Sequence, residues 1–245
     1  MLSEARVLLQ LLRGQPRGGS HAQRLEAFYG PQARHYDRSR ERLLHGRREL
    51  MELLAPPPGT RLAELGGGTG RNLEFLGERL AALETVWLVD LCAPLLNEAR
   101  RRTAARPNVR LIEADATVSR PKAPVQAVLL SYSLTMIPDW FRAVDNAWHM
   151  LEPGGLIGVV DFHVPRRYPP QGRARQAALA RAFWRTWFDR DGVFPSSDHL
   201  PYLEARFRTR VLLERSGTIP WLPLLRMPWY LFIGVKAPGD PAPPR

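Results

Sequence analysis

The chain of 245 residues contains one cysteine, Cys92, and two lysines, Lys122 and Lys236. A single cysteine can build neither a disulfide framework nor a thiolate metal cluster, which favours a reducing compartment. Long apolar runs are also missing. The most apolar tract, "TIPWLPLLRMPWYLFIGV" (218–235), is broken by three prolines and Arg226. It falls short of the ~18 uninterrupted apolar residues of a membrane span. The first residues, "MLSEARVLLQLLRGQPRGG", have an early Glu4, no basic leading segment and no small-x-small cleavage site. They are therefore not expected to act as a secretory signal. His21, His35, His149 and His199 show no ligand spacing, so no metal is expected.

What is abundant is arginine and apolar surface. The formal charge is +11, and all but two of the 35 cations are arginine. Such a skew follows genome base composition, so the charge permits an anionic partner without requiring one. The apolar fraction of 44% supports a sizeable core.

The pattern divides the chain. Residues 2–13 carry Leu2, Ala5, Leu8, Leu9 and Leu12 at helical spacing, and "GQPRGGS" interrupts them. A helical tract over 21–54, broken near Gly30–Pro31, stops at "APPPG". Residues 1–59 thus form an N-terminal helical segment. From Arg61 strands alternate with helices: "RLAEL", "TGRNLEFLGERL", "TVWLVDL", "PLLNEARRRTA", "VRLIEAD", "VQAVLLSYS", "DWFRAVDNAWHML", "GLIGVVDF". This alternation predicts a doubly wound α/β fold, Rossmann-like, with a mostly parallel sheet covered on both faces. "RFRTRVLLER" and "WYLFIGVKA" predict two more strands. Their connection over 216–228 is too short for a covered crossover, so an antiparallel pair is expected within 206–237. The insertion 164–205, with Phe183, Trp184, Trp187 and Phe188 on one helical stretch, reads as a lid. Residues 238–245 read as a frayed tail.

The stretch "ELGGGTG" (64–70) ends the first strand and opens a helix. In an open doubly wound sheet the ligand lies beyond the carboxyl ends of the strands, and glycines there let backbone approach it. The dinucleotide pattern G-x-G-x-x-G fails, because Arg71 or Leu73 falls in the last place, and no Lys-Ser/Thr completes a P-loop. What remains is acid-x-Gly-x-Gly-x-Gly: Glu64, Gly66, Gly68, Gly70. Asp90 ends the second strand 24 residues after Gly66, where a carboxylate can accept both ribose hydroxyls.

With Asp115 in "IEADA" and the turn "LEPGG" (151–155), residues 60–163 resemble class I S-adenosylmethionine-dependent methyltransferases. The resemblance implies S-adenosyl-L-methionine as cofactor and a seven-stranded sheet with an antiparallel last strand. It assigns Glu64, Gly66, Gly68, Gly70, Asp90, Leu91, Asp115, Ala116 and Ser131 to the cofactor. Tyr36 and Arg40 would lie at its methionyl end. "SYSLTMIPDW" after the fourth strand lacks the Asp/Asn-Pro-Pro-aromatic motif of base N-methylases, so no nucleic-acid substrate is expected. That stretch also lacks a cysteine nucleophile.

"FYGPQARHYDRSRERLLHGRREL", "FWRTWFDRDGV", "HLPYLEARF" and "LERSGTIPWLPLLRMPWYLFIGVK" further resemble the bacterial methyltransferases of betaine-lipid synthesis. That resemblance implies successive N-methylation of diacylglyceryl-homoserine to diacylglyceryl-trimethylhomoserine. It also implies functional pairing with the aminocarboxypropyl transferase that makes this substrate, and a cytoplasmic location, peripheral at the inner face of the membrane. Methyl transfer to a lipid amine needs in-line positioning, an acceptor for the amine proton and aromatic faces for the resulting cation. Tyr29, Tyr132, His45 and His163 are the catalytic candidates. Arg47, Trp140, Asp161, Arg166 and Trp184 are the substrate candidates. Trp184 and Trp187, at helical spacing, read as core ahead of a cation cage, and His163 reads equally as site or structure. The helix 2–13 and the arginine-rich 34–48 tract are candidates for contact with an anionic interface, or for packing on the domain itself. Two other classes stay open: methylation of a soluble small molecule, and a non-catalytic cofactor-binding partner subunit.

Overall fold

A computed structural model describes residues 18–189, 192–219, 222–239 and 242–243. The expected helix over 2–13 lies outside the described residues.

The N-terminal segment forms α1 (His21–Tyr29), a 3-10 turn (Gly30–His35), α2 (Tyr36–Arg40) and α3 (Arg47–Leu54). Ser20 and Gln23 close a capping box on α1. Pro31 opens the 3-10 turn, and a further break at 41–46 ends in Gly46 at φ 77°. Ala55 takes the left-handed conformation after α3, and the three prolines behind it prevent continuation.

The core then runs through β1 (Arg61–Leu65), α4 (Arg71–Glu74), α5 (Arg79–Ala82), β2 (Thr85–Asp90), α6 (Ala93–Arg102), β3 (Val109–Glu113), β4 (Val125–Ser131), α7 (Trp140–Met150) and β5 (Leu151–Phe162). The insertion carries α8 (Ala178–Asp189) and α9 (His199–Arg206), and β6 (Arg208–Ile219) and β7 (Leu222–Val235) close the chain. Strand order is β3-β2-β1-β4-β5-β7-β6 in one sheet of seven. β7 runs antiparallel to both neighbours, and the pairs among β1 to β5 are parallel. The expected fold class is therefore the observed one.

β1 and β4 are apolar on both faces because each face is covered. One cluster packs α3, α4, α5 and α6 against Leu62, Leu88, Leu129 and Val160. The opposite cluster packs α7 and α9 against Ala63, Leu65, Val128 and Val159. A third, smaller cluster seats Leu25, Phe28 and Tyr29 of the N-terminal segment on Leu95 of α6.

Three expectations need correction. "TGRNLEFLGERL" is two short turns of helix, α4 and α5, because Gly77 takes φ 57° between them. Strand five begins at Leu151, so the "LEPGG" turn is absorbed into it next to a register shift at Val125/Ala127. The segment 216–228 is no connection. β6 and β7 continue pairing through it, from Ser216–Pro228 to Ile219–Leu222. The strands extend into the expected connection because a strand can hold proline where no ladder bond is required.

Candidate functional site

The parallel strands end at a cavity of about 250 Å³. Its floor is the glycine loop after β1. The N–H groups of Gly66 and Gly67 both donate to Val89 O, at 2.8 and 3.1 Å, which folds the loop onto β2. Gly66 lies at φ 70°, and a Cβ there would stand 2.5 Å from Ser133 Cβ. Gly68, at φ 54°, differs: a Cβ would meet nothing closer than 3.7 Å and would fill open cavity. Its backbone is therefore bared toward a ligand. Gly70, at φ 70°, caps α4 and packs on Leu88 rather than lining the cavity.

Asp90 closes the floor. Its Oδ2 accepts from Gly68 N at 2.7 Å and its Oδ1 from Cys92 N at 2.8 Å. Burial pushes its pKa up, against the pull of these backbone donors. Each oxygen retains a lone pair for a ligand hydroxyl. Farther along, Leu91, Asp115 and Ala116 form the wall at the ends of β2 and β3. Asp115 Oδ1 accepts from Thr117 N at 2.8 Å. On the β4 side the buried hydroxyls of Ser131 and Ser133 line the cavity, and neither has a hydrogen-bond partner. Buried polar atoms without partners are unusual and fit a polar ligand.

The N-terminal segment roofs this floor. Tyr29 and Tyr36 line the cavity as an edge-to-face pair with ring centroids 5.4 Å apart. Asp37 accepts from Thr69 Oγ1 at 2.9 Å and pairs with Arg102 at 2.7 Å, while Arg102 also donates to Thr69 O at 2.6 Å. This clasp ties α2 to the glycine loop. Arg47, only 6% exposed, reaches the cavity from α3 and pairs with Glu41 at 3.1 Å. Tyr132 sits at φ 53°, an unusual backbone for a tyrosine. Its hydroxyl donates to His45 O at 2.7 Å.

Beneath the loop, Glu64 is fully buried and does not touch the cavity. Its Oε1 accepts from Asn72 at 2.6 Å, and burial pushes its pKa up to about 7. Its part is to hold α4 under the glycine loop. Cys92 lines the cavity, but burial pushes its thiol up to about 12, which removes thiolate chemistry at neutral pH. His21, Leu25, Thr69, Arg71, Asn72, Met136, Ile137, Pro138 and Asp139 also line the cavity. Sequence reading assigned none of these to the site: Thr69, Arg71 and Asn72 come with the glycine loop, whereas the others are brought there by the roofing of the floor by α1 and by the turn after β4.

Several candidates are not brought to this cavity. His45 turns its ring away, bonding Thr218 O at 3.0 Å and facing Trp229 at 6.4 Å. Arg40 lies over the Tyr36 ring, 5.7 Å from its centroid, outside the lining. Asp161 is fully buried. It accepts from Thr135 N (3.1 Å), Thr135 Oγ1 (2.7 Å) and Phe162 N (2.8 Å), with its pKa pushed up by burial to about 7. It therefore fixes the turn after β4. His163 bonds Glu214 at 2.7 Å on the far side of β5. Trp184 is core: it stacks on Phe188, which packs on Phe162, which meets Tyr132. Arg166 pairs with Asp198 at 2.6 Å on the surface.

Trp140 lines a second cavity with Arg185, Thr186 and Asp189 of α8 and the loop 193–198. Ile137 and Pro138 line both this cavity and the first. The loop is anchored by Phe194 N donating to Thr135 O at 2.7 Å. The insertion thus covers the strand ends beside the first cavity. Among the described residues, no three His, Cys, Asp or Glu side chains are grouped to hold a metal, and no helix is long and apolar enough to cross a membrane.

Residues 62–155 match the family model described as "Methyltransferase domain". A demethylmenaquinone methyltransferase of Thermus thermophilus is 32% identical over 124 residues, 50% of this chain and 56% of that protein. A 2-phytyl-1,4-naphthoquinone methyltransferase of Thermosynechococcus vestitus is 26% identical over 182 residues, 71% of this chain and 76% of that protein. For several such relatives the chain spans about half of their length. Among solved structures, the N-methyltransferase NodS of Bradyrhizobium japonicum with S-adenosyl-L-homocysteine bound superposes with a TM-score of 0.58 at 15% identity. The match covers 81% of this chain and 87% of that one, and shows a shared fold.

Proposed function

We propose that this chain, whose residues 62–155 form a class I S-adenosylmethionine-dependent methyltransferase domain, methylates the amine of a lipid, diacylglyceryl-homoserine, to the trimethylated betaine. The observation that carries methyl transfer is the convergence on one cavity of the bare Gly68 backbone, the Asp90 carboxylate and the two unpartnered serine hydroxyls. When bound, the cofactor supplies an electrophilic methyl on a sulfonium.

This chain's residues bind and orient. Asp90 is placed for the ribose hydroxyls and Asp115 with Ala116 for the adenine. The buried Arg47, beside the glycine loop, has the position and charge to hold the methionyl carboxylate rather than the acceptor's. The edge-to-face Tyr29–Tyr36 pair and Tyr132 line the same cavity, and their rings would favour a quaternary ammonium product formed there. With His45, Asp161 and His163 held elsewhere, the amine would lose its proton to solvent water before the first transfer and again after the first and second, and positioning would supply the acceleration. Ile137 and Pro138 line both cavities, which puts the second one beside the first as a candidate approach for the acceptor.

A second reading has its own support. Relatives at 26 to 32% identity are named for quinone substrates, so methylation of a quinol ring carbon competes with the amine. Both acceptors carry a long hydrocarbon chain. Peripheral membrane association and pairing with an aminocarboxypropyl transferase belong to the first reading and stand with it. Mass spectrometry decides between them. Purified protein is incubated with S-adenosylmethionine and either diacylglyceryl-homoserine or a demethylated menaquinol. Gains of one to three methyl groups on the lipid amine are expected. A single gain on the quinol, with the lipid untouched, would replace the first reading by the second.

A further inference from the structure

Helix α8 carries more apolar surface than the protein covers. Trp184 and Phe188 point inward and are 5% and 4% exposed. Leu179, Phe183 and Trp187, spaced by four residues, form the adjoining stripe and stand 86%, 40% and 40% exposed. The Phe183 and Trp187 rings are 5.7 Å apart, so the stripe is continuous. A contiguous exposed apolar stripe of this kind marks a docking surface.

The charge around it identifies the occupant. Residues 166–189 contain six arginines and one acid, Asp189. Arg166 and Arg173 are paired with carboxylates, whereas Arg167 and Arg175, in the segment leading into α8, have no ion-pair partner among the described residues; Arg181 and Arg185 lie on the side of α8 opposite the stripe. Arg167 lies 5.3 Å over the ring of Tyr168, which is 80% exposed. Exposed Trp and Tyr beside free arginines suit the boundary between headgroups and acyl chains. A second copy of the chain would set two rows of arginine against each other.

We propose that α8 and the preceding 166–177 segment dock this protein on an anionic lipid surface, with Leu179, Phe183 and Trp187 inserted at the headgroup boundary. The helix is ~18 Å long at 1.5 Å per residue and would lie in the plane of the interface. The same helix lines the second cavity through Arg185, Thr186 and Asp189. Docking would therefore bring the acceptor route to the bilayer. The inference deepens the lipid-acceptor reading and rests on it for its purpose, though not for its geometry.

The test is sedimentation of the full chain with vesicles of phosphatidylcholine alone and of phosphatidylcholine mixed equally with phosphatidylglycerol. Binding to the mixed vesicles, weakened by salt, is expected. The triple variant Leu179→Ser, Phe183→Ser, Trp187→Ser should bind them at least about tenfold more weakly. Arg167→Gln with Arg175→Gln should weaken binding about tenfold on anionic vesicles only. Calorimetry should find the cofactor affinity of both variants unchanged, which shows that they fold. Wild-type protein that ignores both vesicles overturns the proposal, as do variants that bind like wild type. A wild-type dimer that the triple variant dissolves would assign the face to self-association instead. Vesicle binding without methylation of any acceptor would sink the functional reading alone. Methylation in detergent without vesicle binding would sink the docking alone.

Discussion

Asp90 shows how one side chain can hold a loop and still face a cavity. Its two oxygens hold Gly68 N and Cys92 N, so the carboxylate shapes the floor that it also completes. Asp90→Ala should weaken S-adenosylmethionine binding by about a hundredfold, the effect of losing two hydrogen bonds to a charged acceptor. Calorimetric affinity within threefold of wild type would remove Asp90 from the site. Glu64 makes a pH prediction. An unfolded glutamate titrates near 4.5 and the buried one near 7. Between those values the native state binds the extra proton, so stability falls as pH rises through this window and levels off above it. The full effect is of the order of 3 kcal/mol. Glu64→Gln should be less sensitive than wild type between pH 5 and pH 8 in urea unfolding. An undiminished pH dependence would mean that the carboxyl is already ionised in the native state.

At the scale of elements, α8 has two faces with separate roles. Trp184→Ala should cost about 3 kcal/mol or more, because it opens a cavity in the stack that reaches Phe162 and Tyr132. Trp187→Ala should cost clearly less than that, by about 1 kcal/mol or more, since its side chain is 40% exposed against 5% for Trp184. Thermal denaturation of the pair checks this, and equal losses would show that the stripe is packed in solution. Gly66→Ala is a stronger perturbation of the β1 loop. The new methyl would sit 2.5 Å from Ser133 Cβ at a positive φ, so cofactor binding should drop together with stability. Binding retained at full strength in Gly66→Ala would mean that the loop can shift without cost.

Across the whole molecule, the cofactor floor and its roof come from regions far apart in the chain. The clasp of Asp37, Thr69 and Arg102 joins them, and Asp37→Ala should raise the cofactor dissociation constant without altering the sheet. Stopped-flow binding with unchanged circular dichroism is the check. An unchanged dissociation constant would leave the N-terminal segment as a passive cover.

The alternation of apolar strands with helices, the glycine loop from Gly66 to Gly68 and the carboxylates at Asp90 and Asp115 were sufficient to derive the fold class and to point to the residues that line the candidate cavity. They are legible because strand ends and tight turns demand particular residues locally, whatever packs above them. The acceptor side was not legible. His45, Asp161 and His163 have the right chemistry, but the three-dimensional packing uses them to bond Thr218, Thr135 and Glu214. Trp184 and Trp187 are three residues apart, and only the docking of α8 on Phe162 buries the first and exposes the second. The long β6–β7 pairing hid behind its prolines because cross-strand partners are set by the neighbouring strand, which no local pattern contains. Side-chain type and spacing therefore determined the glycine loop and the Asp90 carboxylate that floor the cavity proposed for S-adenosylmethionine. Tertiary packing alone decided which polar groups were left free to meet the acceptor, because each was claimed by whichever neighbour the fold brought within hydrogen-bond reach.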